Sequence, residues 1–145
     1  MKISTKGRYG LRLMVALAVR YGAGPVRVDV LSRDEDISAN YIHVLMGVLK
    51  AAGLVRSIRG ANGGYELARS PSKITSYEVV SVLEGNTVPV ECVAEPGTCP
   101  RAEGCPTRNV WCRIAASVDE ILKSMTLQDL ADEQNRQEEA IHYSI

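Results

Sequence analysis

The tripeptide Asn62-Gly63-Gly64 stands between two short β-prone runs, 54–58 and 65–67, and no other part of the chain reads as strand. Its glycines accept positive φ, so the segment closes a tight hairpin. Upstream, the apolar residues recur at helical spacing instead. Ser4 caps a helix over 4–21 in which Leu13, Met14, Leu17 and Tyr21 share a face, and Gly22-Ala23-Gly24-Pro25 ends it. A short helix follows over about 27–33, then a polar turn, Asp34-Glu35-Asp36. Ser38 caps a third helix over 38–52, stopped by Gly53, with Ile42, Leu45, Leu49 and Ala52 as its buried stripe. Three helices followed by a small hairpin is the order of a winged helix-turn-helix. The fold class is therefore mainly α with a small β-hairpin wing.

Beyond the hairpin, Thr75 and Glu78 fit a capping box that opens a helix to about 83. Residues 85–106 form a Pro- and Gly-rich loop. A long helix over 107–125 carries Val110, Ile114, Val118, Ile121, Leu122 and Met125, and a last helix runs over 127–138, leaving 139–145 as a tail. A chain of 145 residues is too small to bury the long helix completely, so its apolar stripe predicts pairing with a second copy. With no Phe and a single Trp, the core must be built from aliphatic side chains.

Net charge is zero, but residues 1–73 carry 12 Lys and Arg against 5 Asp and Glu, and residues 74–145 carry 5 against 12. A basic half points to an anionic partner, and in this fold to double-stranded DNA. The third helix suits the major groove, where Ser38, Asn40, Tyr41 and His43 near its N-terminus become the candidate readers. Asn40 suits an adenine edge and Tyr41 a phosphate. At the hairpin tip Arg59, flanked by Gly60 and Asn62, suits a narrow minor groove. Arg56 and Lys6 are candidate phosphate clamps. Taken singly, Arg56, Arg59 and Lys50 read equally well as solvated surface charge. No run approaches the length of a membrane span, and the first residues carry no signal-peptide pattern, so the expectation is a cytoplasmic protein without membrane contact.

All four cysteines, Cys92, Cys99, Cys105 and Cys112, fall within 21 residues, separated by six, five and six residues. Structural zinc sites use tightly spaced Cys pairs, which are absent here. A cytoplasmic setting disfavours a structural disulfide framework. Thiolates on an irregular loop suit an iron–sulfur cluster or a redox site. The two histidines, His43 on the reading face and His142 in the tail, are weak metal candidates.

Several stretches resemble one group of regulators. They are Lys2-Ile3-Ser4-Thr5-Lys6-Gly7-Arg8-Tyr9-Gly10, Ile37-Ser38-Ala39-Asn40-Tyr41-Ile42 and Leu49-Lys50-Ala51-Ala52-Gly53-Leu54-Val55. The most specific is the wing, Arg59-Gly60-Ala61-Asn62-Gly63-Gly64-Tyr65-Glu66-Leu67-Ala68, and Ser124-Met125-Thr126-Leu127-Gln128-Asp129-Leu130 extends the likeness to the C-terminal helices. Together they are similar to the IscR, NsrR and CymR group, the Rrf-two family. The resemblance implies a homodimeric winged-helix repressor on a palindromic operator. Residues 1–84 would form the DNA-binding domain, 85–106 the sensor loop and 107–138 the dimerisation helices. It also implies an iron–sulfur cluster, two-iron rather than four-iron, on Cys92, Cys99 and Cys105. The family's fourth ligand is either a His three residues after the third cysteine or an acidic residue in the first helix. Here Arg108 and Arg8 stand at those places, and Arg cannot ligate a metal. Cys112, one turn beyond Arg108, is the candidate fourth ligand, beside an exchangeable ligand or a residue of the partner subunit.

The reading is thus a DNA-binding transcriptional regulator sensing iron–sulfur or redox status through its cysteine loop. Two alternatives stand beside it: a metal-free thiol switch in which a pair such as Cys99 and Cys105 forms a reversible disulfide, and a regulator controlled by binding a protein partner such as an enzyme. Nothing in the sequence combines a nucleophile with a base or builds a phosphate loop, so an enzyme is not expected.

Overall fold

The computed structural model describes residues 2–144. Three helices, α1 (Thr5–Val19), α2 (Val28–Glu35) and α3 (Ala39–Ala51), precede an antiparallel hairpin of β1 (Val55–Ile58) and β2 (Gly64–Leu67). Four more follow: α4 (Ser76–Glu84), a single turn α5 (Glu91–Ala94), α6 (Pro106–Ser124) and α7 (Leu127–Tyr143). The hairpin register pairs Val55 with Leu67, Arg56 with Glu66, Ser57 with Tyr65 and Ile58 with Gly64.

One aliphatic core holds the head together. Leu13, Met14 and Leu17 of α1 meet Leu31 of α2, Ile42, Leu45, Met46 and Leu49 of α3, Leu67 of the wing and Val79 of α4, all essentially solvent-free. Leu127 and Ala131 at the start of α7 enter the same core. The backbone reinforces that join: Leu127 N–H donates to the Ile74 carbonyl at 2.9 Å and Ser76 N–H to the Met125 carbonyl at 2.8 Å. The last two helices are therefore anchored to the head at the α6–α7 corner. Along α6 only Ala115 is buried, while Val110 and Ile121 are 51% and 59% exposed. No helix among the described residues is long and apolar enough to cross a membrane.

Several boundaries differ from the sequence expectation for identifiable reasons. Helix α2 continues through Glu35, because Asp36 takes the left-handed conformation (φ 54°) that ends it. In α3 Met46 rather than Ala52 completes the buried stripe, since Ala52 is already the C-cap and lies exposed. Thr75 does accept a hydrogen bond from Glu78 N–H, but the Glu78 carboxylate pairs with Arg69 instead of reaching back. The reciprocal capping box lies at Thr126 and Asp129. The 85–106 segment is not structureless: α5 and the 3₁₀ turns Pro96–Thr98 and Ala102–Gly104 punctuate it. Helix α7 continues to Tyr143, so His142 and most of the expected tail are helical.

Candidate nucleic-acid interface and cysteine loop

Helix α3 presents three longitudinal strips. Ile42, Leu45, Met46 and Leu49 face the core. His43 and Lys50, one shoulder of the exposed side, both reach the wing: His43 Nδ1 lies 2.9 Å from the Tyr65 hydroxyl, and Lys50 Nζ donates to Ser57 Oγ at 2.8 Å. On the other shoulder the partly buried Tyr41 ring packs edge-on against Tyr9, centroids 6.2 Å apart. Arg12 in turn lies over Tyr9 at 5.4 Å, a cation–π contact. Between the shoulders, Asn40, Val44, Gly47 and Ala51 follow the i, i+4, i+7, i+11 spacing of one face and are all exposed.

The wing is braced on a second side. Val26 and Tyr65 exchange backbone hydrogen bonds of 2.8 and 2.9 Å. A Cβ at position 64 would collide with the Val26 carbonyl, so glycine is the residue that permits this approach. Tyr65 thus ties the wing to α3 through its hydroxyl and to the segment before α2 through its backbone. Between wing and helix opens a cleft of about 580 Å³, lined by Arg27, Asp29, His43, Ser57, Arg59 and Tyr65 among others.

The predicted DNA-binding residues fall into different situations. Ser38 caps α3, its hydroxyl accepting from Tyr41 N–H at 3.2 Å. Asn40 is exposed on the outer strip. Arg56 is ion-paired with Glu66, its register partner, at 3.1 Å. Arg59 lies exposed at the wing tip, beside Gly60 at φ 115° and exposed Asn62. Lys6 is exposed on the first turn of α1. Among the described residues neither Arg59 nor Lys6 makes an ion pair, whereas Arg12, Arg20, Arg27, Arg33, Arg56 and Arg69 do. Half of the 12 basic residues of the head are therefore engaged with carboxylates. Sequence reading singled out neither Tyr65 nor the Lys50–Ser57 bridge. No local signal marked Tyr65, whose partner His43 lies 22 positions away in the chain.

The cysteine loop begins immediately after a joint between α4 and α1. Glu84, last residue of α4, accepts from Ser4 N–H at 2.9 Å, from Gly7 N–H at 3.1 Å and from the Ser4 hydroxyl. Past it, Cys92 sits on α5, Cys99 after the next turn, Cys105 at the N-cap of α6 and Cys112 within α6. All four are free thiols, each partly exposed. Arg108 does not point to a metal: its Nε donates to the Cys92 carbonyl at 3.0 Å and holds α5 against α6. Cys105 Sγ lies 3.1 Å from Thr107 Oγ1. That hydroxyl, followed by the Arg108 backbone N–H, holds the Cys105 thiol below its ordinary pKa, with lesser help from the Thr107 N–H and the charge of Arg101. Among the described residues no three Cys, His, Asp or Glu side chains gather as metal ligands. In this arrangement the four thiols are not gathered around one point, so holding a cluster would require the loop to bring them together.

Comparison with known proteins agrees with the sequence resemblance. The Rrf2 family profile, described as an iron-dependent transcriptional regulator, matches residues 3–133. The transcriptional regulator CymR of Bacillus subtilis is 42% identical over 145 residues, covering 100% of both chains. The solved structure of CymR, the global cysteine regulator of B. subtilis, superposes with a TM-score of 0.78 at 43% identity, over 92% of this chain and 98% of that one. The structure of T. potens IscR gives a TM-score of 0.75 at 36% identity, over 92% and 88%.

Proposed function

This chain belongs to the Rrf2 family of DNA-binding transcriptional regulators, and from that premise we propose that it works as a homodimer on a palindromic duplex, with its cysteine loop as the sensor. The observation that carries the proposal is the reading head. An exposed strip of α3 and a wing bearing an exposed Arg59 are held in one geometry by the His43–Tyr65 and Lys50–Ser57 bridges. Such a pair reads a major groove and the adjacent minor groove together. Ser38 positions the N-terminus of α3, Asn40 faces base edges, and Lys6 and Tyr41 are placed for phosphate. Gly60 and Asn62 shape the wing tip, and Arg56 reaches phosphate from its pair with Glu66. The regulator acts by binding, without a catalytic step of its own.

Dimerisation runs through α6, whose exposed Val110 and Ile121 call for a partner surface. Two heads related by a two-fold axis then meet half-sites about one DNA turn, roughly 34–36 Å, apart. The loop 85–106 lies between the Glu84 joint and α6, so a change in the loop reaches both the head and the dimer helix.

The input is iron–sulfur or thiol redox status at Cys92, Cys99 and Cys105. The family description and the IscR likeness support the cluster reading, in which these three thiols, with Cys112 as candidate fourth, would have to converge from their present positions. The lowered thiol pKa of Cys105 supports the metal-free reading. There Cys105 and Cys99 lose two electrons and two protons to a cellular oxidant and form a disulfide. Anaerobic incubation with iron and sulfide separates them. Visible absorption with stoichiometric iron and sulfide, lost in Cys92→Ala, Cys99→Ala or Cys105→Ala, establishes the cluster. A colourless protein whose Cys99–Cys105 disulfide forms and reverses establishes the thiol switch. A protein that does neither is governed by a partner.

A further inference from the structure

The outer strip of α3 carries an apolar residue that the head does not use. Val44 is 57% exposed and stands one turn from Asn40, midway between the shoulder tied to the wing and the shoulder resting on Tyr9. A single exposed valine is ordinary on a soluble surface. This one is followed at i+3 by Gly47, where an added Cβ would meet nothing within 4 Å beyond the adjoining backbone of its own helix. Glycine inside a helix weakens it relative to alanine, and nothing in the packing of the head calls for a missing side chain there. A glycine on an exposed helix face that needs neither positive φ nor close packing is explained by the close approach of something from outside.

Resting on the DNA-binding reading, we propose that Val44 is a specificity-determining residue that recognises the C5-methyl group of a thymine. Gly47 lets the helix axis ride near the groove floor, and Asn40 addresses an adenine one helical turn away. The major groove displays one apolar group, the thymine methyl, and an aliphatic side chain distinguishes it from the bare C5 edge of cytosine. A turn of α-helix rises about 5.4 Å and base pairs are spaced about 3.4 Å. Each half-site therefore carries its adenine and its methyl-read thymine within about two base pairs of each other. The outer strip contains no charged side chain, so guanine readout by Arg or Lys is not available along it.

The test uses duplexes that the full-length protein selects from a random library. Each thymine of a selected duplex is replaced in turn by deoxyuridine, which keeps the base pair and removes only the methyl. One thymine per half-site is expected to respond, with affinity falling about fourfold per half-site: burial of one methyl-sized group, about 0.8 kcal/mol, converted at about 1.4 kcal/mol per decade. Val44→Ala, whose melting curve should match wild type because the side chain is exposed, is expected to bind the thymine duplex more weakly and to be indifferent to deoxyuridine at that position. Two results overturn the proposal: wild type indifferent to deoxyuridine at every position, or Val44→Ala retaining the full thymine preference. A library that yields no enriched duplex instead overturns the DNA-binding reading beneath it.

Discussion

Helix α1 has no acidic residue in its own first turn and takes one from α4: Glu84 accepts hydrogen bonds from the Ser4 and Gly7 backbone N–H groups and from the Ser4 hydroxyl. These are orphan donors of a helix N-terminus, where a carboxylate is also favoured by the helix dipole. A hydrogen bond to a charged group contributes about 1.5–3 kcal/mol where solvent is excluded. Glu84 is partly exposed, and Ser4 Oγ remains 3.4 Å from Gly7 N as a substitute cap. Glu84→Ala should therefore cost about 1–2 kcal/mol in total, or roughly 3–6 °C of Tm for a chain of this size. Gly7 supplies an independent check. A Cβ there would fall on Glu84 Oε1, so Gly7→Ala expels the carboxylate although alanine is the better helix former by about 0.5–1 kcal/mol. With the Glu84 carboxylate removed, the nearest remaining contact of the new methyl is the exposed Ile3 side chain, its Cγ2 at 3.0 Å, which can turn aside. Gly7→Ala is thus expected to destabilise the wild type and to be neutral or stabilising in the Glu84→Ala background. Denaturant melts of the four proteins, at one fixed protein concentration, give the coupling. Additive costs, with Gly7→Ala equally harmful in both backgrounds, would refute the capping role of Glu84.

Charging the apolar stripe of α6 by Ile114→Glu and Ile121→Glu should convert dimers to monomers in sedimentation velocity, and unchanged dimers would remove α6 from the interface. Arg59→Ala should lose about 1–3 kcal/mol of binding with relaxed specificity if the wing reads a groove, or weaken all sequences alike with a salt slope lower by about one if it contacts phosphate; no change in either titration assigns Arg59 to idle surface. Cys105 should alkylate fastest of the four thiols at neutral pH, because a lowered pKa leaves more thiolate there. Its rate–pH profile should rise at lower pH than an ordinary thiol's, and Thr107→Ala should move it upward; mass spectrometry of partially labelled protein that finds Cys105 no faster than Cys99 would contradict this.

What the sequence made legible is what short-range physics decides. Apolar spacing placed α1, α3 and α6 within a residue or two of their positions, and Asn62-Gly63-Gly64 placed the wing. Ser4, Ser38 and Thr75 serve as the N-caps that their hydroxyls suggested. The misplacements came from contacts made across the chain. Glu78 had the spacing of a capping box, but Arg69 offered its carboxylate a cationic partner. Asp36 ends α2 only because it takes the left-handed conformation, which a run of three acidic residues does not announce. In the reading head, Asn40 and Arg59 could be singled out because exposure follows from helical phase and from the wing turn. Tyr65 could not, because its importance lies in reaching His43, 22 positions away. Arg108 shows the same limit. Its place relative to Cys105 marked it as a departure from the family's ligand pattern, yet only the folded loop reveals that it grips the Cys92 carbonyl.

Whether the loop governs the head is decided by the affinity of the full-length protein for a single selected duplex, titrated by fluorescence anisotropy in two states at one salt concentration. In one state all four thiols are reduced and metal-free. In the other the loop has been loaded with iron and sulfide, or oxidised at Cys99 and Cys105 if it does not load. Because the loop joins the Glu84 cap of α1 to the first turn of α6, the two states should differ in affinity by about 5–150-fold, the ordinary range of coupling between two sites. Equal affinities in both states would contradict a sensor role for the cysteine loop.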